Sequence, residues 1–85
     1  MPDRRFDHET VFSITYDTAE RARRVERAVA PEVRGIDDER SQTELDRQAA
    51  ELVVTVEARD LVALRAAQNT WLSLLSVAEQ AGDVC

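Results

Sequence analysis

Eighty-five residues carry 17 carboxylates against 11 basic side chains, a net charge of −6. A single domain of that size removes only roughly 60% of its unfolded surface from water, so its core is thin and oligomerisation is a natural source of further stability. The acidic balance excludes a stand-alone nucleic-acid binder built on a broad basic patch.

All 11 basic residues are arginine and lysine is absent. Carboxylates hold water well, and a self-repelling acidic surface is an arrangement used in salt-rich cytoplasm, so a halophilic protein is expected. The one cysteine, Cys85, allows no internal disulfide, which points to a reducing, cytoplasmic compartment. The opening MPDRRFDHET lacks the apolar core of a signal peptide, and no segment is apolar enough to span a membrane.

The expectation is one domain over residues 1–85, with tails at 1–7 and 82–85. His8 to Tyr16 alternates, Phe12, Ile14 and Tyr16 on one face and Val11, Ser13 and Thr15 on the other, and reads as a strand. Asp17 or Thr18 then caps a helix, with Glu20 spaced to answer Asp17. Ala22, Val25, Ala28 and Val29 recur at helical intervals up to Pro31. Gly35 and the acids Asp37, Asp38 and Glu39 mark a solvated loop that turns the chain back. Ser41 to Arg47 is a weaker, polar strand, with Gln48 to Ala50 a short connection. Glu51 to Ala58 is the strongest strand, apolar on both faces through Leu52, Val54, Val56 and then Val53 and Thr55, which places it in the middle of a sheet. Asp60 to Ala81 is a long helix of about 33 Å.

The order βαββα with a right-handed crossover gives an α+β fold: a three-stranded antiparallel sheet in order 2-3-1 with both helices on one face. An exposed edge and a bare sheet face invite a second copy, so a dimer is expected.

Catalytic chemistry is not written in the chain. Nucleophilic catalysis needs Ser or Cys beside a base, and the sole His and Cys, His8 and Cys85, stand at opposite ends. Neither CxxC nor HxxxH is present, the Asp37 to Glu39 run lacks the spaced ligands of a calcium loop, and two glycines cannot build a phosphate loop. No metal, cofactor or small-molecule substrate is expected, and no enzyme activity.

The long helix carries what signal there is. At 100° per residue, Ala63, Leu74, Ala67, Ala78, Trp71, Leu64, Leu75, Leu61 and Leu72 fill one half, which is expected to pack on the sheet. The other half holds Val62, Arg65, Ala66, Asn69, Thr70, Ser73, Ser76 and Val77. Between Leu61 and Ala78 the only charge is Arg65, although charged residues make up 33% of the chain. These eight residues are the candidate protein interface, Arg65 and Asn69 its polar anchors.

The segments ITYDTAERARRVERAVAPEV and VTVEARDLVALRAAQNTWLSLLSVAE resemble the small Pcc/CTAG-type subunit of the KEOPS complex, over roughly Val11 to Glu79. The telling stretches are AxxVxxAVxPE, met as Ala22, Val25, Ala28, Val29, Pro31 and Glu32, and DLxALRAAxNTWL. The missing lysine resembles the haloarchaeal branch. The resemblance implies a non-catalytic homodimer that binds, through its helices, the ATPase-fold catalytic subunit installing threonylcarbamoyl on tRNA adenosine. Arg65 and Asn69 match its LRxxxN pattern. Contact with tRNA is expected to be indirect or weak, with Arg21, Arg23, Arg24 and Arg27 as candidate RNA contacts and Arg4 and Arg5 as further cations. The alternative reading is a small ferredoxin-like dimeric domain that senses a ligand near Tyr16, Asp17 and Thr18.

Overall fold

The computed structural model describes residues 6–33 and 40–84, with side chains through Ala81. The expected loop acids Asp37 to Glu39, Gly35, and the tail cations Arg4 and Arg5 lie outside the described residues. The order is β1 (His8–Thr15), α1 (Ala19–Val29) with a 3-10 turn (Ala30–Glu32), β2 (Ser41–Gln48), β3 (Glu51–Ala58) and α2 (Leu61–Val84).

The strands form one sheet in the order β1-β3-β2, the expected 2-3-1 read from its other edge. Both pairings with β3 are antiparallel, and all eight residues of each outer strand face the eight of β3 in unbroken register. That register aligns Phe12, Val54 and Leu45 in one row and Ile14, Leu52 and Arg47 in the next. Because side chains alternate with period two, Leu52, Val54, Val56 and Ala58 share a face. Those four are fully buried and join Ala22, Val25, Val29, Ala67, Trp71 and Leu75 of the helices in the core. Among the described residues the opposite face has no second layer. Glu9, Val11, Ser13 and Thr15 of β1 and Gln42, Glu44, Asp46 and Gln48 of β2 are exposed there, while Val53 and Thr55 are half-buried by their neighbours in the sheet.

The local signals explain the boundaries, with two corrections. Thr18, in extended conformation, caps α1 by accepting the Arg21 N–H at 3.0 Å. The expected partnership of Asp17 with Glu20 does not form: Asp17 pairs instead with Arg21, 3.6 Å away. Position 21 is the third residue of the helix after the cap, so the box spacing starts at Thr18 and meets an arginine where it needs an acid. Second, Gln48 belongs to β2, and the β2–β3 connection shrinks to Ala49 and Ala50. Ala49 takes φ 54°, the left-handed conformation that a two-residue hairpin needs and that alanine adopts at a cost. Arg47 Nη1 donates to the Ala49 carbonyl at 3.1 Å, and the Tyr16 N–H donates to Ala50 O at 2.8 Å, which pins the turn against the end of β1.

Asp60 caps α2 through Oδ1, accepting the Ala63 N–H at 2.8 Å, and its other oxygen meets Arg40 at 3.5 Å. The backbone donor first, and Arg40 with it, hold its carboxyl below the usual carboxylate range. Pro31 ends regular α1 as expected, by way of the 3-10 turn, whereas α2 runs three residues past Ala81.

Candidate protein interface

Two polar contacts and one apolar stripe set the rotation of α2 about its own axis. Ala63, Ala67, Trp71 and Leu75, spaced by four, are buried against the sheet and α1. Within that stripe the indole Nε1–H of Trp71, fully buried, donates to Thr43 Oγ1 of β2 at 2.9 Å. Nearer the helix end, the Tyr16 hydroxyl donates to Glu79 Oε2 at 2.6 Å. Burial, then the Glu79 carboxylate that accepts its hydrogen bond, push the Tyr16 phenol above its usual range. The Arg21 guanidinium lies 5.7 Å from the centre of the Tyr16 ring.

This rotation turns all eight sequence-predicted interface residues outward. Val62, Arg65, Ala66, Asn69, Thr70, Ser73, Ser76 and Val77 are exposed, Val62 by 71% and Val77 by 63%. Thr70 spends its hydroxyl within the helix, donating to Ala66 O at 2.9 Å. The Arg65 guanidinium and the Asn69 amide make no hydrogen bond or ion pair among the described residues. Both stand in water with their polarity unused.

The face is also wider than the periodicity implied. Leu61 and Leu72, expected to pack on the sheet, are 53% and 45% exposed. They lie at the flank of the apolar half, and the covered arc of the helix is narrower than the apolar arc. Of the five exposed large hydrophobic side chains among the described residues, Leu61, Val62, Leu72 and Val77 are on α2, the fifth being Val11 on the bare sheet face.

The other candidates are placed as follows. Arg23, Arg24 and Arg27 are exposed on α1 without an ion pair among the described residues, whereas Arg21 is half-buried between Asp17 and Tyr16. Beside the start of α1, where a sensed ligand was the alternative, there is an open recess of about 410 Å³ lined by Asp17, Thr18, Glu20, Arg21 and Arg24. Every residue that lines it is polar or charged, whereas small-molecule sites are mostly lined by apolar side chains with a few placed polar groups. Among the described residues no three metal-binding side chains converge, and no helix is long and apolar enough to cross a membrane.

A family model described as "Transcription factor Pcc1" matches residues 9–83. The chain belongs to the Pcc1 family. This is the family that the motifs of α1 and α2 resemble, and the match reaches every strand and both helices. The fold is shared with a chain in the crystal structure of a Gon7–Pcc1 binary complex, at TM-score 0.74 and 19% identity, over 93% of this chain and 96% of that one. No curated protein matches this Pcc1 family member.

Proposed function

We propose that this Pcc1 family member is a non-catalytic assembly and dimerisation subunit of a KEOPS-type complex. In this reading it binds the ATPase-fold catalytic subunit and so supports formation of threonylcarbamoyladenosine in tRNA. The observation that carries the proposal is the outer face of α2: four exposed large apolar side chains, small residues between them, and one charge on a chain that is otherwise a third charged. Surfaces of that kind are covered in their working state, and arginine flanked by apolar anchors is the composition of an interface centre. Arg65 and Asn69 would supply the hydrogen bonds that give the contact its register. The sheet face away from the helices and the outer edges of β1 and β2 are the surfaces this reading leaves for a second copy. RNA contact, if made, is peripheral in this reading, through Arg23, Arg24 and Arg27. The lysine-free acidic surface fits a halophilic, archaeal cytoplasm.

Two substitutions test it. Asn69→Glu and Ser73→Glu sit on water in the monomer and so leave its circular dichroism and melting midpoint nearly unchanged, but in a complex Ser73→Glu buries an unpaired carboxylate and Asn69→Glu buries one that draws Arg65, one turn away, off the partner. Pull-down with the catalytic subunit and light scattering on a sizing column should show loss of one or both assemblies. Full assembly of both variants would place this face in solvent and end the proposal.

A further inference from the structure

The two outer strands are held to the helices in different ways. On the face that carries Leu52, Val54, Val56 and Ala58, the register places His8, Thr10, Phe12 and Ile14 of β1 on one side of β3 and Ser41, Thr43, Leu45 and Arg47 of β2 on the other. β1 packs Phe12 and Ile14 against the core and is followed directly by buried Tyr16. The Tyr16 N–H donates to Ala50 O and its hydroxyl to Glu79, so that end of β1 is fastened twice more. The one apolar side chain of β2 is Leu45. The rest of its hold on the helices is polar. Thr43 accepts the Trp71 indole in the middle, Arg47 Nε donates to Glu26 Oε1 of α1 at 2.8 Å near the end, and Arg40 meets Asp60 just ahead of the start. Arg40 and Asp60 are each more than half exposed, and pairs that water reaches contribute little. The turn from β2 to β3 also carries left-handed Ala49, whose steric cost ends when the turn opens.

We infer that β2 is a releasable edge of the sheet: it comes away from β3 and the helices as one piece, turning about Ala49 and Ala50, while β1, β3, α1 and α2 keep their fold. Partial opening takes the route that uncovers the fewest apolar contacts. Lifting β2 withdraws one leucine from the core and frees polar groups that water can satisfy. Lifting β1 withdraws Phe12 and Ile14 and breaks the anchorage of Tyr16 as well. α1 does not depend on β2, because Ala22, Val25 and Val29 are buried in the core that the helices share with β3. The opened chain presents one edge of β3 and the indole N–H of Trp71, so the sheet changes there without the molecule unfolding. The inference concerns the free chain and stands apart from the assembly reading.

Amide hydrogen exchange of the full chain, followed by NMR from zero to low urea, tests it. The N–H groups of a central antiparallel strand point alternately to its two neighbours, so the amides of β3 divide by the strand they bond. The expected result is two classes that alternate along β3. Amides joining β2 and β3 should exchange at least tenfold faster than those joining β1 and β3, and with a weaker dependence on urea, because less surface is exposed in their opening. Ile14→Val weakens contacts that survive the release of β2, so it should quicken the β1 class about fivefold and leave the β2 class unchanged. Arg47→Gln removes a pair that is lost in both openings, so it should quicken both classes about threefold. Circular dichroism checks that both variants fold. The inference is overturned by a single exchange class along β3, by equal urea dependence of the two classes, or by a β1 class that is the faster. An Ile14→Val effect spread equally over both classes overturns it as well.

Discussion

Replacing Thr43 by valine tests how α2 is held. The two side chains have nearly the same shape, so packing around Trp71 is kept while the acceptor of its indole N–H is removed. Trp71 is 0% and Thr43 8% exposed, and water does not take the place of the lost oxygen. A buried donor left without a partner costs about 1–3 kcal/mol. A chain of 85 residues has roughly 4–13 kcal/mol in total at 0.05–0.15 kcal/mol per residue. A loss of about 2 kcal/mol lowers the melting midpoint by roughly 10 °C. Circular dichroism gives the midpoint, and emission reports the site directly, because Trp71 is the sole tryptophan. Trp71→Phe in the Thr43→Val background should cost about 1 kcal/mol less than in the parent, since the bond is then already gone. A Thr43→Val protein that melts with the parent and keeps its emission spectrum would refute the role given to this bond.

Three further outcomes follow from the geometry. Ala49→Gly should stabilise by about 1 kcal/mol in urea titrations, because glycine takes φ 54° without the steric penalty alanine bears. Tyr16→Phe should destabilise by about 1.5 kcal/mol, leaving the part-buried Glu79 carboxylate without its donor. The raised phenol pKa makes the contribution of Tyr16 complete below its ordinary value of 10.0 and lost as pH climbs through the folded value, so parent and variant should converge in strong alkali. Asp60 has the opposite sign: its lowered pKa adds stability above the ordinary 3.8 that fades as pH falls through the folded value, so Asp60→Ala should match the parent in strong acid and melt earlier at neutral pH.

Periodicity was enough for most of this fold. The doubly apolar run Glu51 to Ala58 could only be a central strand, and its limits in the structure are those read from the residues. Chain connectivity then left one sheet order. The outward face of α2 was legible for the same reason, since an uncharged face stands out in a chain a third charged. Leu61 and Leu72 were misplaced because periodicity gives the angle of a side chain, whereas the width of the covered arc depends on where α1 and the strands lie. The Trp71–Thr43 and Tyr16–Glu79 bonds join residues 28 and 63 apart, and nothing local in either segment announces them. The alanine and valine spacing of α1 announced a helix that packs, but which part of α2 it meets depends on the whole fold.

The flush sheet has a consequence for how the chain must be made. β1 is an edge of eight residues with no proline and no break in register, and only His8 and Glu9 are ionisable along it. Its outer backbone groups are a template for any extended segment that meets them. Chains synthesised in excess of whatever covers that edge are therefore the ones exposed to mispairing, and β2, with Glu44, Asp46 and Arg47 in its sequence, is the better guarded side. In the assembly reading, supply of this protein is thus bound to supply of its partners, and overproduction by itself is the condition under which it should be lost to precipitate.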